Sequence, residues 1–195
     1  VAVAGTTATL AVHGSRVRGV VSATGAAATL EVDGTRFETC SPCVSAGPLL
    51  SFSSTNNVIE GLSGSDVRGY SLSGATTISI ANDVFRGFNG TGCVRPIYIT
   101  GSSVGSIANV SIDDIVGNAT CSAGMWWDSS STMVSVLDST VSNVTGFCLK
   151  NAGTLPGGMS YSYNDLWNCS SGVASGAADA GGNISADPRF VDAAA

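Results

Sequence analysis

Apolar and polar residues alternate along this chain in short runs that are separated by polar bends. Period-2 alternation occurs at residues 10–12, 30–32, 78–80, 134–136 and 161–163. Apolar residues do not recur at helical spacing for more than two turns in any segment. Alternation of this kind is typical of a strand with one buried face, whereas an amphipathic helix would repeat every 3.6 residues. The pattern therefore predicts an all-β protein.

A longer repeat links these runs. An apolar residue is followed five positions later by a second one, in most pairs with Ser, Thr, Asp or Asn just before it. The seven pairs are Val12/Val17, Val32/Phe37, Leu62/Val67, Ile80/Phe85, Val110/Ile115, Val136/Val141 and Tyr161/Leu166. Gly or Asn soon follows the second member in six of them, at Gly19, Gly69, Gly87, Gly117, Asn143 and Asn168, and Thr39 is the exception. The fifth pair stays open, because residues 110–112 could equally supply the strand positions.

The spacing of the pairs indicates a solenoid. Their first members are separated by 20, 30, 18, 30, 26 and 25 residues, so the core is constant while the spacers vary. Stacked turns pair as parallel strands about 4.8 Å apart and align like residues in interior columns. Because five is an odd spacing, a bend between the two apolar residues is needed to turn both inward. The sequence thus predicts a parallel β-helix of about seven coils in a single domain, residues 1–195.

A Greek-key sandwich is the main alternative fold. It would need reversing hairpins, and the turn sequence Asn-Gly between alternating strands occurs once, at Asn89-Gly90. The parallel β-helix is therefore the favoured interpretation.

The charged residues argue against several classes of function. Eight basic residues against fourteen acidic ones give a net charge of −6 and a pI near 4.4. The basic residues are scattered, which argues against a nucleic acid partner. No apolar stretch approaches the roughly 20 residues that span a bilayer. The presence of a single histidine, His13, argues against His-based catalysis and most zinc sites, and we expect this residue to be solvated or to cap a local backbone group.

Cysteines and sequons indicate an extracellular or cell-surface protein. We interpret the six cysteines as disulfide-bonded: Cys40, Cys43, Cys93, Cys121, Cys148 and Cys169. Neighbouring coils lie within disulfide distance, and two pairings are considered. The first is Cys40–Cys43, Cys93–Cys121 and Cys148–Cys169, and the second shifts the partners by one coil. Six N-x-S/T sequons predict glycosylation at Asn89, Asn109, Asn118, Asn143, Asn168 and Asn183.

The C-terminal part carries a family resemblance. Residues 163–168 read Tyr-Asn-Asp-Leu-Trp-Asn, and residues 182–192 contain Gly-Asn-Ile followed by Asp-Pro-Arg-Phe-Val-Asp. This arrangement resembles the closing coil and exit segment of right-handed parallel β-helix (pectin-lyase-like) secreted and surface proteins. The resemblance implies a right-handed solenoid, with Phe190 plugging its end. Such relatives continue further, so we expect the chain to be a fragment or module of a larger extracellular protein.

The resemblance also implies a search for carbohydrate chemistry. Lyases of this fold cluster acids around Ca²⁺ beside an Arg or Lys base, and Ca²⁺ needs six to eight oxygen ligands. The weak Ca²⁺ candidates are Asp83, Asp113, Asp114 and Asp138, with Arg86 as the basic residue. Polar bend residues are the favoured interpretation of this set. Hydrolases of the fold would use paired aspartates, but their Gly-His and Arg-Ile-Lys elements are missing. We therefore predict no catalytic residue, and no cofactor unless Ca²⁺ binds.

Two tryptophans remain as candidate contacts. We place Trp126 and Trp127 in a loop after Cys121, where they could stack on sugars, cover the solenoid or contact a subunit, while Trp167 is expected to be buried. The favoured function is a non-enzymatic structural or adhesive module, joined to other subunits or modules by end-on or lateral packing. The alternatives are a polysaccharide lyase or hydrolase and a glycan-binding module.

Overall fold

The computed structural model describes residues 2–4, 8–128, 133–153 and 159–188. Within these ranges the regular structure is all β, and no helix is present that could cross a bilayer. The strands are β1 (Ala2–Ala4), β2 (Thr9–His13), β3 (Arg16–Arg18), β4 (Val21–Asp33), β5 (Arg36–Glu38), β6 (Val44–Thr55), β7 (Val58–Glu60), β8 (Ser63–Gly64), β9 (Val67–Ser73), β10 (Ala75–Ala81), β11 (Val84–Gly90), β12 (Val94–Thr100), β13 (Val104–Ala108), β14 (Ser111–Val116), β15 (Ala123–Asp128), β16 (Met133–Leu137), β17 (Thr140–Val144), β18 (Phe147–Asn151), β19 (Met159–Ser162), β20 (Asp165–Cys169), β21 (Gly172–Ser175) and β22 (Ala178–Gly181).

Parallel strands stack into a β-solenoid of about six turns, which confirms the predicted fold class. They form one sheet of 14 strands and one of eight. The larger sheet turns a corner within β4 and β6, so the solenoid has three faces. The first face contains β2, β10, β13, β16, β19, β22 and the second halves of β4 and β6. The second is the eight-stranded sheet, and the third contains β1, β9, β12, β15, β18, β21 and the first halves of β4 and β6.

Interior side chains align in columns, as the repeat predicts. The first-face column is Val12, Val32, Ser54, Ile80, Ile107, Val136 and Tyr161. The second-face column is Val17, Phe37, Ile59, Phe85, Ile112, Val141 and Leu166. Five of the seven predicted pairs are therefore in register, and the spacing of five holds in every turn.

The predicted pairs Leu62/Val67 and Val110/Ile115 are wrong. The aligned pairs in those turns are Ser54/Ile59 and Ile107/Ile112. In the first case a polar residue occupies the apolar column, because Ser54 is hydrogen-bonded inside the solenoid. In the second case the first member of the pair is Ile107. The buried Val110 follows it three residues later and has the same apolar character, so it resembles the first member.

The bends between faces use residues with positive φ at fixed positions. Two residues beyond the first-face column lie Gly14, Gly34, Asn56, Asn82, Asn109, Asp138 and Tyr163. Two residues beyond the second-face column lie Gly19, Thr39, Gly61, Gly87, Asp114, Asn143 and Asn168. Glycine and asparagine reach this conformation at low cost. Thr39 adopts φ of 51°, so it is no exception in conformation.

A polar ladder runs inside the bend between the first and second faces. The side chain of each ladder residue accepts a hydrogen bond from a backbone N–H one turn earlier. Thr35 N donates to Asn57 Oδ1 at 2.8 Å, and Asn57 N donates to Asp83 Oδ1 at 2.7 Å. The ladder resumes after Val110 through Ser139, Asn164 and Asn183, at 3.1, 2.9 and 2.9 Å. These bonds satisfy buried backbone donors that the bend removes from the sheets.

The six cysteines form three disulfides: Cys40–Cys43, Cys93–Cys121 and Cys148–Cys169. This is the first of the two predicted pairings. The Cα–Cα distances are 4.8, 5.1 and 5.4 Å. Cys93–Cys121 joins equivalent positions on adjacent turns, because β12 and β15 pair with a register offset of 28 residues.

Candidate functional site

The weak Ca²⁺ candidates do not lie together. Asp83 is inside the bend between the first and second faces, and Asp138 is outside that bend two turns later. Asp113 and Asp114 lie on β14 in the second face. Asp83 and Asp113 do not share an offset, because the fifth pair begins three residues earlier than predicted. In the described ranges, no group of three or more His, Cys, Asp or Glu side chains could hold a metal ion.

Asp83 is a residue of the solenoid interior. It is fully buried, and it accepts hydrogen bonds from Asn57 N at 2.7 Å, Tyr70 OH at 2.9 Å and Ser54 Oγ at 2.5 Å. Burial raises the pKa of its carboxyl above the ordinary value, although these donors act in the opposite direction. Asp83 therefore organises the interior and is not presented to a surface ligand.

Asp113 and Arg86 are neighbours in register on β14 and β11, as the predicted set required. Each side chain has other partners. Asp113 Oδ1 accepts hydrogen bonds from Ser142 Oγ at 2.6 Å and Asn143 Nδ2 at 2.8 Å. Arg86 Nε donates to Glu60 Oε2 at 2.8 Å. The arginine is thus held as a charged member of a surface ladder.

That ladder covers the first turns of the second face. Its members are Arg16, Arg18, Arg36, Glu38, Glu60 and Arg86. Glu38 receives three arginines, with Arg16 Nη2 at 2.7 Å from Oε1, and Arg36 also pairs with Glu60. A groove of about 520 Å³ lies over the two glutamates. His13 stands apart on the first face, exposed and with Nδ1 4.0 Å from Asp33 Oδ2.

The predicted glycosylation sites differ in accessibility. Five asparagines are exposed: Asn89, Asn109, Asn118, Asn143 and Asn168. Asn183 is half-buried, and its side-chain oxygen accepts hydrogen bonds from Asn164 N and Nδ2 at 2.9 and 3.0 Å. A glycan on Asn183 would therefore have to coexist with the polar ladder. Phe190, predicted to plug the end, lies outside the described residues.

The placement of Trp126 and Trp127 in an exposed loop is wrong. Both lie on β15, where successive side chains alternate between the two sides of the sheet. Trp127 points inward and is fully buried in the column with Ile99, so it cannot contact a glycan or a partner. Trp126 points outward but is only 7% exposed. Trp167 is also not fully buried, since it lies half-buried on β20 beside Ser142.

Cationic side chains cover the outward aromatic rings of the third face. We call this surface the cationic ridge, made of Arg68, Arg95, Tyr98, Trp126, Phe147 and Lys150. The Arg68 and Arg95 guanidinium carbons lie 4.4 and 4.9 Å from the ring centroid of Tyr98. Arg95 and Lys150 both lie 4.2 Å from the Trp126 centroid. Such contacts hold each cation against a ring face.

The turn that ends at Cys121 holds two of these cations. Arg95 Nε donates to the Cys121 carbonyl at 2.9 Å, and Lys150 Nζ donates to the Thr120 carbonyl at 3.3 Å. The Cys93–Cys121 disulfide ties this turn to the start of β12. At the flanks, Asp128 accepts from Tyr98 OH at 3.2 Å. The ridge is therefore a preorganised positive surface on an acidic protein.

A second surface of opposite charge lies at the bend between the first and second faces. We call it the acidic groove, defined by Asp138, Thr140, Tyr163, Asp165 and Ile184. It has a volume of about 380 Å³. Tyr163 and Ile184 are 68% and 59% exposed, so apolar surface accompanies the two carboxylates.

The sequence search missed the ridge because its residues are far apart in the chain. Arg68 and Arg95 are separated by 27 residues and become neighbours through the pairing of β9 with β12. Trp126 and Lys150 meet in the same way through β15 and β18. A correct register for the third face would have placed Tyr98, Trp126 and Lys150 in one column.

Comparison with protein-family models, with curated proteins and with solved structures finds no match to this chain.

Proposed function

We propose that this β-solenoid is a non-enzymatic structural or adhesive module of an extracellular or cell-surface protein or assembly. The observation that carries the proposal is that most of the polar and charged side chains singled out by the sequence link one turn to another. The Asn57–Asp83 step of the polar ladder and the Glu38–Arg16 ion pair both connect adjacent turns. A side chain used in this way contributes to a rigid rod.

Disulfides support the extracellular part of the proposal. All six cysteines are paired, and one bridge joins adjacent turns at Cys93 and Cys121. Structural disulfides persist in oxidising compartments and are rare in reducing ones. Exposed sequons, such as Asn118 in the turn before Cys121, fit the same compartment.

The geometry gives less support to the two alternatives. A Ca²⁺-assisted lyase needs several carboxylate oxygens that converge on one ion. Asp83 lies in the solenoid interior, whereas Asp113 lies on β14 in the second face. Sugar stacking needs an open ring face, and the Trp126 ring is covered by Arg95 and Lys150. The structural role therefore has the better support.

Two measurements test the proposal. Antibody labelling of intact source cells should find the protein outside the cell. Thiol labelling of the denatured, unreduced protein should find no free thiol. Incubation with acidic polysaccharides, with and without Ca²⁺, should give no unsaturated product and no new reducing ends.

The opposite outcomes are equally specific. Turnover that persists in the Glu31→Ala control, an exposed acid on the first face, but is lost in Asp113→Ala would establish an enzyme. Glycan-array binding that is lost in Trp126→Ala would establish a glycan-binding module. An intracellular protein with reduced cysteines would contradict the proposed compartment.

A further inference from the structure

We propose that a second copy of this chain docks its acidic groove on the cationic ridge, so that the rods associate side by side. The inference rests on the proposed structural role and names the partner and the contact surfaces. It is carried by charge complementarity between two surfaces of one chain.

The two surfaces carry opposite charge. The ridge presents Arg68, Arg95 and Lys150, which are three of only eight basic residues, with Asp66 and Asp128 at its flanks. Around the groove, the described residues after position 132 contain one lysine and four aspartates: Asp138, Asp165, Asp179 and Asp187. Complementary potentials of this kind guide association and fix its register.

Their positions on the solenoid are also complementary. The ridge lies on the third face, whereas the groove lies at the corner between the first and second faces, on the opposite side of a three-faced rod. A contact between different surfaces is heterologous, and it extends into an open array when no rotation closes it. Translation alone places the corner of one rod against the third face of the next.

The levels along the axis match as well. Asp138 belongs to the same turn as Trp126, and Asp165 belongs to the same turn as Lys150. Both surfaces repeat with the strand spacing of about 4.8 Å, because they belong to the same stack. Two parallel rods at nearly the same height therefore bring Asp138 level with Arg95, whose guanidinium lies over the Trp126 ring, and Asp165 level with Lys150. The exposed Tyr163 and Ile184 add apolar surface to this contact.

Neutral variants test the contact without removing the side-chain stems. The ridge variant is Arg95→Gln/Lys150→Gln, and the groove variant is Asp138→Asn/Asp165→Asn. The matched controls change the same charges elsewhere, as Arg16→Gln/Arg18→Gln and Asp113→Asn/Asp114→Asn. Sedimentation velocity is measured over a concentration series in about 0.1 M and about 1 M NaCl, where the screening length falls from about 10 to about 3 Å.

The wild type should form a concentration-dependent series of oligomers at low salt and a monomer at high salt. Each interface variant should weaken the association roughly tenfold, since two surface ion pairs are lost, while the controls stay within about twofold. A mixture of the two interface variants should stop at a 1:1 dimer, because only one native ridge and one native groove remain.

Several results would overturn the docking. They are a wild type that is monomeric at both salt concentrations, equal effects of interface and control variants, and a mixture that forms long oligomers. Retention of the monomer by heparin or polygalacturonate, without self-association, would identify the ridge as a polyanion site instead. A surface-located, non-catalytic protein that stays monomeric would leave the proposed function standing while the docking falls.

Discussion

The Ser54 hydroxyl donates to Oδ2 of Asp83 at 2.5 Å in the interior of the solenoid. The Tyr70 hydroxyl lies 2.9 Å from the same carboxylate oxygen and 2.8 Å from Ser54 Oγ, so the three oxygen atoms form a triangle. With an ionised carboxylate, two hydroxyl protons serve only two of the three contacts. Burial raises the pKa of this carboxyl, whereas the hydrogen bonds from Ser54, Asn57 and Tyr70 lower it.

Removal of the Asp83 carboxyl should destabilise the fold strongly. Asp83→Ala leaves the buried Asn57 N–H and the Ser54 and Tyr70 hydroxyls without their acceptor, which should cost about 3 kcal/mol or more. Asp83→Asn keeps an acceptor for Asn57 and should cost about 1 kcal/mol. Urea unfolding followed by far-UV circular dichroism measures both. Equal losses would contradict this account, because Asp83→Asn keeps both the side-chain volume and an acceptor for Asn57.

The same residue should make stability depend on pH in an unusual direction. The folded-state pKa of Asp83 lies above the ordinary value, so its contribution is fully present below the unfolded pKa and is lost as pH rises through the folded pKa. The wild type should therefore lose stability relative to Asp83→Asn as pH rises above about 4, the ordinary range of an aspartate. Urea unfolding of both proteins at each pH isolates the effect of Asp83, because the other titratable groups are the same in the two proteins. A constant difference would contradict the raised pKa.

The disulfides should contribute according to the loops they close. Cys93–Cys121 and Cys148–Cys169 span 28 and 21 residues, and replacing either pair by serines should cost about 3 kcal/mol. Cys40–Cys43 spans three residues, and its loss should cost about half as much. Denaturant unfolding of the three double variants gives the order. A larger loss for the Cys40/Cys43 variant would mean that local geometry outweighs loop closure.

The repeat could be read from the sequence because most first-column positions are apolar, as Val32, Ile80 and Val136 are. Ser54 concealed one turn, since a serine inside an apolar column is tolerated only with the partners that Tyr70 and Asp83 supply. Those partners come from the next turn and could be recognised only after the register was known.

The third face could not be predicted from the residue pairs, for a different reason. The pairs describe the first and second faces, so they fix no inward or outward direction on β15 or β12. The sequence therefore presents Trp126 and Trp127 as one aromatic cluster, although Trp126 lies beneath the cations of the ridge and Trp127 fills the core. The candidate site depends on cross-turn neighbours such as Arg95 and Trp126, which are 31 residues apart.

Gly105 should be far less replaceable than a bend glycine. It lies on β13 with φ of 153°, and a Cβ there would collide with the Ile78 carbonyl oxygen. Gly61 has φ of 65° and no heavy atom within 4 Å of a built Cβ. We expect Gly105→Ala to cost about 3 kcal/mol or more and Gly61→Ala about 1 kcal/mol. Thermal unfolding of the two variants compares them directly, and similar midpoints would refute the close approach.

Glu38 should give the opposite pH dependence to Asp83. A hydrogen bond from Arg16, reinforced by the charges of Arg16 and Arg18, lowers the pKa of its carboxyl. Its stabilising effect is therefore present above the unfolded pKa and is lost as pH falls through the folded value. Glu38→Gln should be less stable than the wild type at neutral pH, and this difference should shrink in acid and in about 1 M NaCl. Unfolding curves at two pH values and two salt concentrations measure this difference. A difference in stability that persists in both acid and high salt would show that Glu38 acts through packing and not through its ion pairs with arginine.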